Sequence, residues 1–132
     1  MLIHYIDDDP DDQYLIKRAI STISTTISIL CFDDANAYLE YIQPEQLDST
    51  TTPDLVLLDI NMPMINGFEL LSLLKNSTKL NHVPVYIYTT SQSNDDAVAA
   101  RELGAKDVVV KPSGLQQAIN TIKCLYEQHS RK

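Results

Sequence analysis

Five side chains of this sequence combine types and positions suited to handling a charged group: Asp7, Asp8, Asp59, Thr89 and Lys111. Each stands at, or just beyond, the carboxyl end of a short apolar run. In an open α/β sheet those ends share one edge, where such folds bind their ligands, so residues distant in sequence become neighbours there. Three carboxylates gathered in a low-dielectric pocket repel one another unless a cation sits among them. Oxygen ligands, a backbone carbonyl from the adjoining loop and retained waters describe a Mg²⁺ site. A hydroxyl and an ammonium on the opposite side of Asp59 are misplaced for a metal but suited to hydrogen-bond an anion attached to that aspartate. A carboxylate between a cation and such a pair is equipped to attack phosphorus and hold the transferred phosphoryl group.

The elements that must position these groups are legible as alternating apolar runs and amphipathic stretches. Residues 2–6, 27–32, 54–58, 85–88 and 107–110 read as strands. Asp7 to Asp12 holds five carboxylates in six residues, and part of that run has a local cause. Asp9 suits an N-cap, Pro10 the first helical position, and Asp11 and Asp12 the positive end of a helix dipole. Leu15, Ile16, Ala19, Ile20 and Ile23 then recur at helical spacing, which leaves Asp7 and Asp8 as the functional candidates. Asp33 or Asp34 caps a helix carrying Ala35, Tyr38, Leu39 and Ile42 on one face. Residues 43–53 lack an apolar period and read as a surface loop. Leu70, Leu71 and Leu74 mark a third helix, and Gly67 permits the tight turn into it. Residues 94–103 form a fourth helix that stops at Gly104, and Leu115, Ala118, Ile119, Ile122, Leu125 and Tyr126 stripe a fifth. Strand–helix alternation implies right-handed crossovers and a parallel sheet covered on both faces, an α/β fold.

Composition narrows the partners. The 132 residues fit a single domain, and a formal net charge of −8 argues against nucleic-acid or anionic-membrane binding. No apolar run is long enough to span a membrane, and Met1 to Ile6 runs directly into aspartates rather than forming a signal peptide. A cytoplasmic domain is the expectation. Cys31 and Cys124 have no ligand or redox spacing and read as small packed residues, with a disulfide between them as the alternative. His4, His82 and His129 are scattered, without ligand spacing to a carboxylate or cysteine, and read as packing or surface residues.

Four motifs, in this order and spacing, carry a resemblance: Tyr5-Ile6-Asp7-Asp8, then Leu57-Leu58-Asp59-Ile60-Asn61-Met62-Pro63-Met64-Ile65-Asn66-Gly67, then Val83 to Thr89, then Gly104-Ala105-Lys106-Asp107-Val108-Val109-Val110-Lys111-Pro112. From Ile3 to about Tyr126 the chain resembles a receiver domain of the two-component response-regulator family. The resemblance implies a five-stranded doubly wound sheet of order 2-1-3-4-5. It also implies phosphorylation of Asp59 by a sensor histidine kinase or a histidine phosphotransfer protein. Asp8, Asp59 and the Asn61 backbone carbonyl would bind Mg²⁺ directly, and Asp7 mainly through bound water. Thr89, with Thr90 beside it, and Lys111 would receive the phosphoryl group, and the Lys111–Pro112 bond would be cis. Val108 stands where the family usually has Phe or Tyr, so no ring can swing there as the switch threonine moves. The 43–53 loop and Thr89-Thr90-Ser91 are similar to stand-alone receivers found beside phytochrome-type sensor kinases. The implied protein is a signalling module rather than an enzyme, with self-catalysed phosphoryl transfer and hydrolysis. It would have no output domain, would act on a downstream protein, and would be a monomer or weak homodimer.

Three competing readings rest on specific features. Asp7-x-Asp9 imitates the opening of haloacid-dehalogenase-like phosphohydrolases, but Asp11 stands where that family expects Thr or Val. A phosphorylation-independent pseudo-receiver would have lost at least one of Asp7, Asp8, Asp59, Thr89 and Lys111. A flavin-binding protein of the same topology would need a phosphate-cradling loop after the first strand, where this chain is acidic.

Overall fold

The computed structural model describes residues 1–23, 26–62, 66–90 and 93–129. Five strands, β1 (Leu2–Ile6), β2 (Ser28–Phe32), β3 (Leu55–Leu58), β4 (Val85–Thr89) and β5 (Asp107–Val110), alternate with α1 (Pro10–Ile23), α2 (Ala35–Tyr41), α3 (Gly67–Lys75), α4 (Asn94–Glu102) and α5 (Leu115–His129). The strands pair in parallel in the order β2-β1-β3-β4-β5, as the alternation and the family resemblance imply.

Strand side chains alternate between the two faces, and both faces are covered. Ile3, Tyr5, Leu55, Leu57, Tyr86 and Tyr88 pack with Ile16, Ala19 and Ile20 of α1 and with Ala118, Ile119, Ile122 and Leu125 of α5. Ile6, Val56, Leu58, Val85 and Ile87 pack on the other face with Tyr38 of α2, Leu70, Leu71 and Leu74 of α3 and Ala100 of α4. Each such aliphatic side chain contributes about 1.5–3 kcal/mol when fully buried.

The helices begin where the sequence supplies acceptors. Asp9 Oδ1 accepts from the Asp11 N–H at 2.9 Å, Asp34 Oδ1 from Ala37 at 2.7 Å, Asn66 Oδ1 from Glu69 at 2.9 Å and Ser93 Oγ from Asp96 at 3.3 Å. Gly104 stops α4 with φ of +105°, a conformation L side chains rarely adopt. Two local readings change. Residues 43–53 contain a short 3₁₀ turn at Pro44–Gln46, followed by a buried Leu47. Asp54 precedes β3 rather than joining it, because its carboxylate accepts from the Leu2 N–H at 2.7 Å.

Candidate functional site

Strand register assembles the site. Ile6 pairs with Leu58 and Leu58 with Ile87, so Asp7 and Asp59 leave adjacent strands side by side. The backbone continues this pairing, with Asp59 N–H donating to the Ile6 carbonyl at 3.0 Å and Lys111 N–H to the Thr89 carbonyl at 2.8 Å. Thr89 pairs with Val110, which sets Lys111 next along at the same edge. Asp7, Asp59 and Thr89 are buried, whereas Asp8 is exposed at the rim.

One carboxylate oxygen from each of Asp7, Asp8 and Asp59 falls within a cluster no more than 4.8 Å across. The donors are all oxygen, and among the described residues the carboxylates of Asp7, Asp8, Asp12 and Asp59 outnumber the Lys111 ammonium set against them. That excess of negative charge and that hard donor set fit a small divalent cation. Burial pushes the Asp59 carboxyl up to about 6, against the pull of the Asn61 N–H and the Lys111 ammonium, and the like charge of Asp7 adds to the rise. A positive charge held at the same oxygens would favour the ionised, nucleophilic form.

Asp7 is the most firmly held member. Its Oδ2 accepts from the Tyr5 hydroxyl at 2.5 Å and lies 2.8 Å from Lys111 Nζ, while its Oδ1 accepts from the Asp9 N–H at 3.0 Å. Gln13 Nε2 donates to the Asp7 backbone carbonyl at 2.6 Å and to Asp33 Oδ1 at 2.9 Å. Asp59 Oδ1 accepts from the Asn61 N–H at 3.1 Å, fixing the turn that follows the strand.

Lys111 departs from the simple picture of an ammonium facing only the anion side of Asp59. Its Nζ bridges Asp12 at 2.7 Å, Asp7 at 2.8 Å and Asp59 at 3.5 Å, with only 8% of its side chain exposed. Burial works against its charge, but the hydrogen bonds to Asp12 and Asp7 outweigh that and hold the ammonium above its ordinary pKa. Asp12, assigned from sequence only to the helix dipole, is thus a partner of the site. So is Tyr5, whose signal was its place two residues before Asp7, near the end of β1.

Gly67 has a different reason from the one expected. A Cβ there would lie 2.4 Å from the Ile60 Cα and 2.6 Å from the Asp59 carbonyl oxygen, so the residue allows close approach of α3 to the backbone behind Asp59. The cis Lys111–Pro112 bond is not found: among the described residues there is no cis peptide bond. Proline lowers the cost of the cis form, but trans remains favoured by about 0.5–1 kcal/mol, and here the trans chain already delivers Lys111 to its carboxylates. Thr90 is exposed beside buried Thr89. Val108 pairs with Ile87 and is half-buried against the core, leaving β5 without a ring at that position. Ser91 and the Pro63–Ile65 part of the turn after Asp59 lie outside the described residues. Cys31 and Cys124 are free thiols, and no helix among the described residues is long and apolar enough to cross a membrane.

Comparison with known proteins agrees with this geometry. The family model of the response regulator receiver domain matches residues 3–123. The probable methanogenesis regulatory protein FilR2 of Methanothrix harundinacea (strain 6Ac) is 30% identical over 126 residues, 96% of this chain and 81% of that protein. Response regulator Rcp1 of Synechocystis sp. (strain ATCC 27184 / PCC 6803 / Kazusa) is 26% identical over 92% of this chain and 84% of its own length; the fold is shared with its Mn(2+)-bound form, with a TM-score of 0.80 at 24% identity over 99% of this chain and 96% of that one. The phosphorylated cyanobacterial phytochrome response regulator RcpA superposes with a TM-score of 0.85 at 26% identity, covering 98% of this chain and 94% of that one.

Proposed function

The chain belongs to the response regulator receiver domain family, and from that premise we propose that it accepts a phosphoryl group on Asp59 from a phosphohistidine of a sensor histidine kinase or a histidine phosphotransfer protein. One observation carries the reading: Asp59 stands buried at a strand end, clustered with the Asp7 and Asp8 carboxylates and 3.5 Å from the Lys111 ammonium. An Asp59 carboxylate oxygen attacks phosphorus as the histidine N–P bond breaks, forming a mixed acyl phosphate. Asp7, Asp8, Asp59 and the Asn61 carbonyl are the residues to hold a Mg²⁺ ion, which would neutralise charge on the phosphoryl oxygens. Lys111 pairs with one of those oxygens, and the Thr89 hydroxyl donates to another. The protein is a signalling module, and its output is contact with a downstream protein or onward transfer of the group. The Mn(2+)-bound Rcp1 and the phosphorylated RcpA, both of this fold, support the cation and the phosphoryl assignment in turn.

The test is incubation with Mg²⁺ and a small-molecule phosphodonor, followed by intact-mass measurement. The expected result is a gain of one phosphoryl group that requires Mg²⁺ and is absent from Asp59→Asn. No gain in the wild type would favour a phosphorylation-independent binding module instead.

A further inference from the structure

Asp12 lies in the first turn of α1, where any acidic residue gains from the helix dipole without needing a partner of its own. It has one nonetheless. Its Oδ2 is 2.7 Å from Lys111 Nζ, the shortest of the three carboxylate contacts that ammonium makes, and the carboxylate is only 26% exposed. Charge-assisted hydrogen bonds at this distance are among the stronger polar contacts in proteins. The ammonium therefore sits toward α1, in contact with Asp7 but at 3.5 Å from Asp59.

That position matters for the acidic pocket. An ammonium against Asp7 and near Asp59 repels a divalent cation drawn to the same oxygens. A carboxylate on the far side of the ammonium offsets the repulsion and draws the lysine back. Without it, Asp7 and Asp59 are the remaining carboxylate partners of Lys111 among the described residues, and the lysine competes with the cation for both. We propose that Asp12 is a positioning residue that restrains Lys111 between carboxylates and so keeps the Asp7–Asp8–Asp59 cluster receptive to a divalent cation. Its consequence for phosphorylation rests on the reading of Asp59 as acceptor: the lysine is released from Asp12 when a phosphoryl oxygen offers a better partner.

The experiment is a double-mutant cycle read by Mg²⁺ titration calorimetry, with no phosphodonor present. Asp12→Asn is expected to weaken Mg²⁺ binding about fivefold to tenfold in the wild-type background, within the coupling expected of contacting charges, but less than about twofold when Lys111→Gln is already present. Lys111→Gln alone should tighten binding, and Asp12→Glu should recover most of the wild-type affinity. A merely structural role for Asp12 would not depend on which residue occupies position 111. Equal effects of Asp12→Asn in both backgrounds, no effect in the wild type, or no Mg²⁺ binding by the wild type would overturn the proposal. A wild type that shows the coupling yet takes up no phosphoryl group would overturn the acceptor reading and leave the role of Asp12 standing.

Discussion

The Tyr5 hydroxyl donates to Asp7 Oδ2 across 2.5 Å, joining the apolar core to the acidic pocket at the end of β1. Residues two apart on a strand share a face, so the tyrosine that packs between α1 and α5 is also the one able to hold the carboxylate beyond it. Its ring meets Tyr88 edge-on with centroids 5.5 Å apart, and burial followed by the hydrogen bond to Asp7 raises the phenol far above its usual pKa. The donor therefore stays protonated throughout the working pH range. Tyr5→Phe keeps the ring and removes only the donor. Urea unfolding without divalent cation should show a loss of about 2 kcal/mol, as for other hydrogen bonds to charged groups. An unchanged midpoint would contradict the contact.

Gly67 and Gly114 make a matched pair. A Cβ at Gly67 would meet Ile60 Cα and the Asp59 carbonyl oxygen well inside contact distance, whereas one at Gly114 meets nothing within 4 Å. Gly67→Ala should cost about 1–3 kcal/mol or more, through forced movement of α3 or of the Asp59 backbone. Gly114→Ala should stay within about 0.5 kcal/mol of wild type. Thermal and urea unfolding of the two variants check this, and equal stabilities would contradict the packing at Gly67.

Divalent cation should stabilise the fold through the carboxylate cluster. At Mg²⁺ a hundredfold above its dissociation constant, linkage predicts about 2.7 kcal/mol of added stability, reversed by EDTA. Asp8 is exposed, and its oxygen completes the cluster with Asp7 and Asp59. Asp8→Asn should leave metal-free stability near that of the wild type while abolishing most of the Mg²⁺ increment. A full increment in that variant would move the cation elsewhere.

His4 supplies a pH dependence away from the site. It is buried on β1, its Nδ1 is 3.0 Å from the Tyr38 hydroxyl, and its ring meets Phe32, Tyr38 and Tyr41. Burial pulls its pKa down to about 4 from the ordinary 6.5. Below pH 6.5 the unfolded chain takes up a proton that the folded His4 refuses until about pH 4, so stability falls as pH drops through that window. The full loss is roughly 3 kcal/mol. Asp59, raised to about 6, works in the opposite direction over much of the same range. The informative quantity is therefore the difference between the wild type and a His4→Phe/Tyr38→Phe variant, which removes the histidine without stranding its phenol partner. The wild type should lose about 2 kcal/mol more than the variant between pH 7 and pH 5. Parallel profiles would contradict a neutral buried His4.

Legibility in the sequence followed the range of the interaction. Asp9 with Pro10, Asp34 and Gly104 act within a few residues of themselves, and caps and stops were readable from type and position. The convergence of Asp7, Asp59, Thr89 and Lys111 was readable because parallel topology alone brings strand ends together. The Asp12–Lys111 ion pair was not, because 99 residues separate its members and a helix dipole already accounted for the acid. Gly67 reads from sequence as a turn glycine, since sequence shows that a side chain is missing but not which backbone lies against it. The cis bond at Pro112 came from family resemblance alone, and the proline permits either isomer.

The identity of the acceptor is tested most directly by trapping the acyl phosphate. After reaction with Mg²⁺ and a small phosphodonor, borohydride reduction converts a phosphorylated aspartate to homoserine, and peptide mass spectrometry then locates it. Phosphorylation of Asp59 gives homoserine at position 59 alone, lost when Mg²⁺ is withheld. Homoserine at position 7, 8 or 12, or at none, would contradict it.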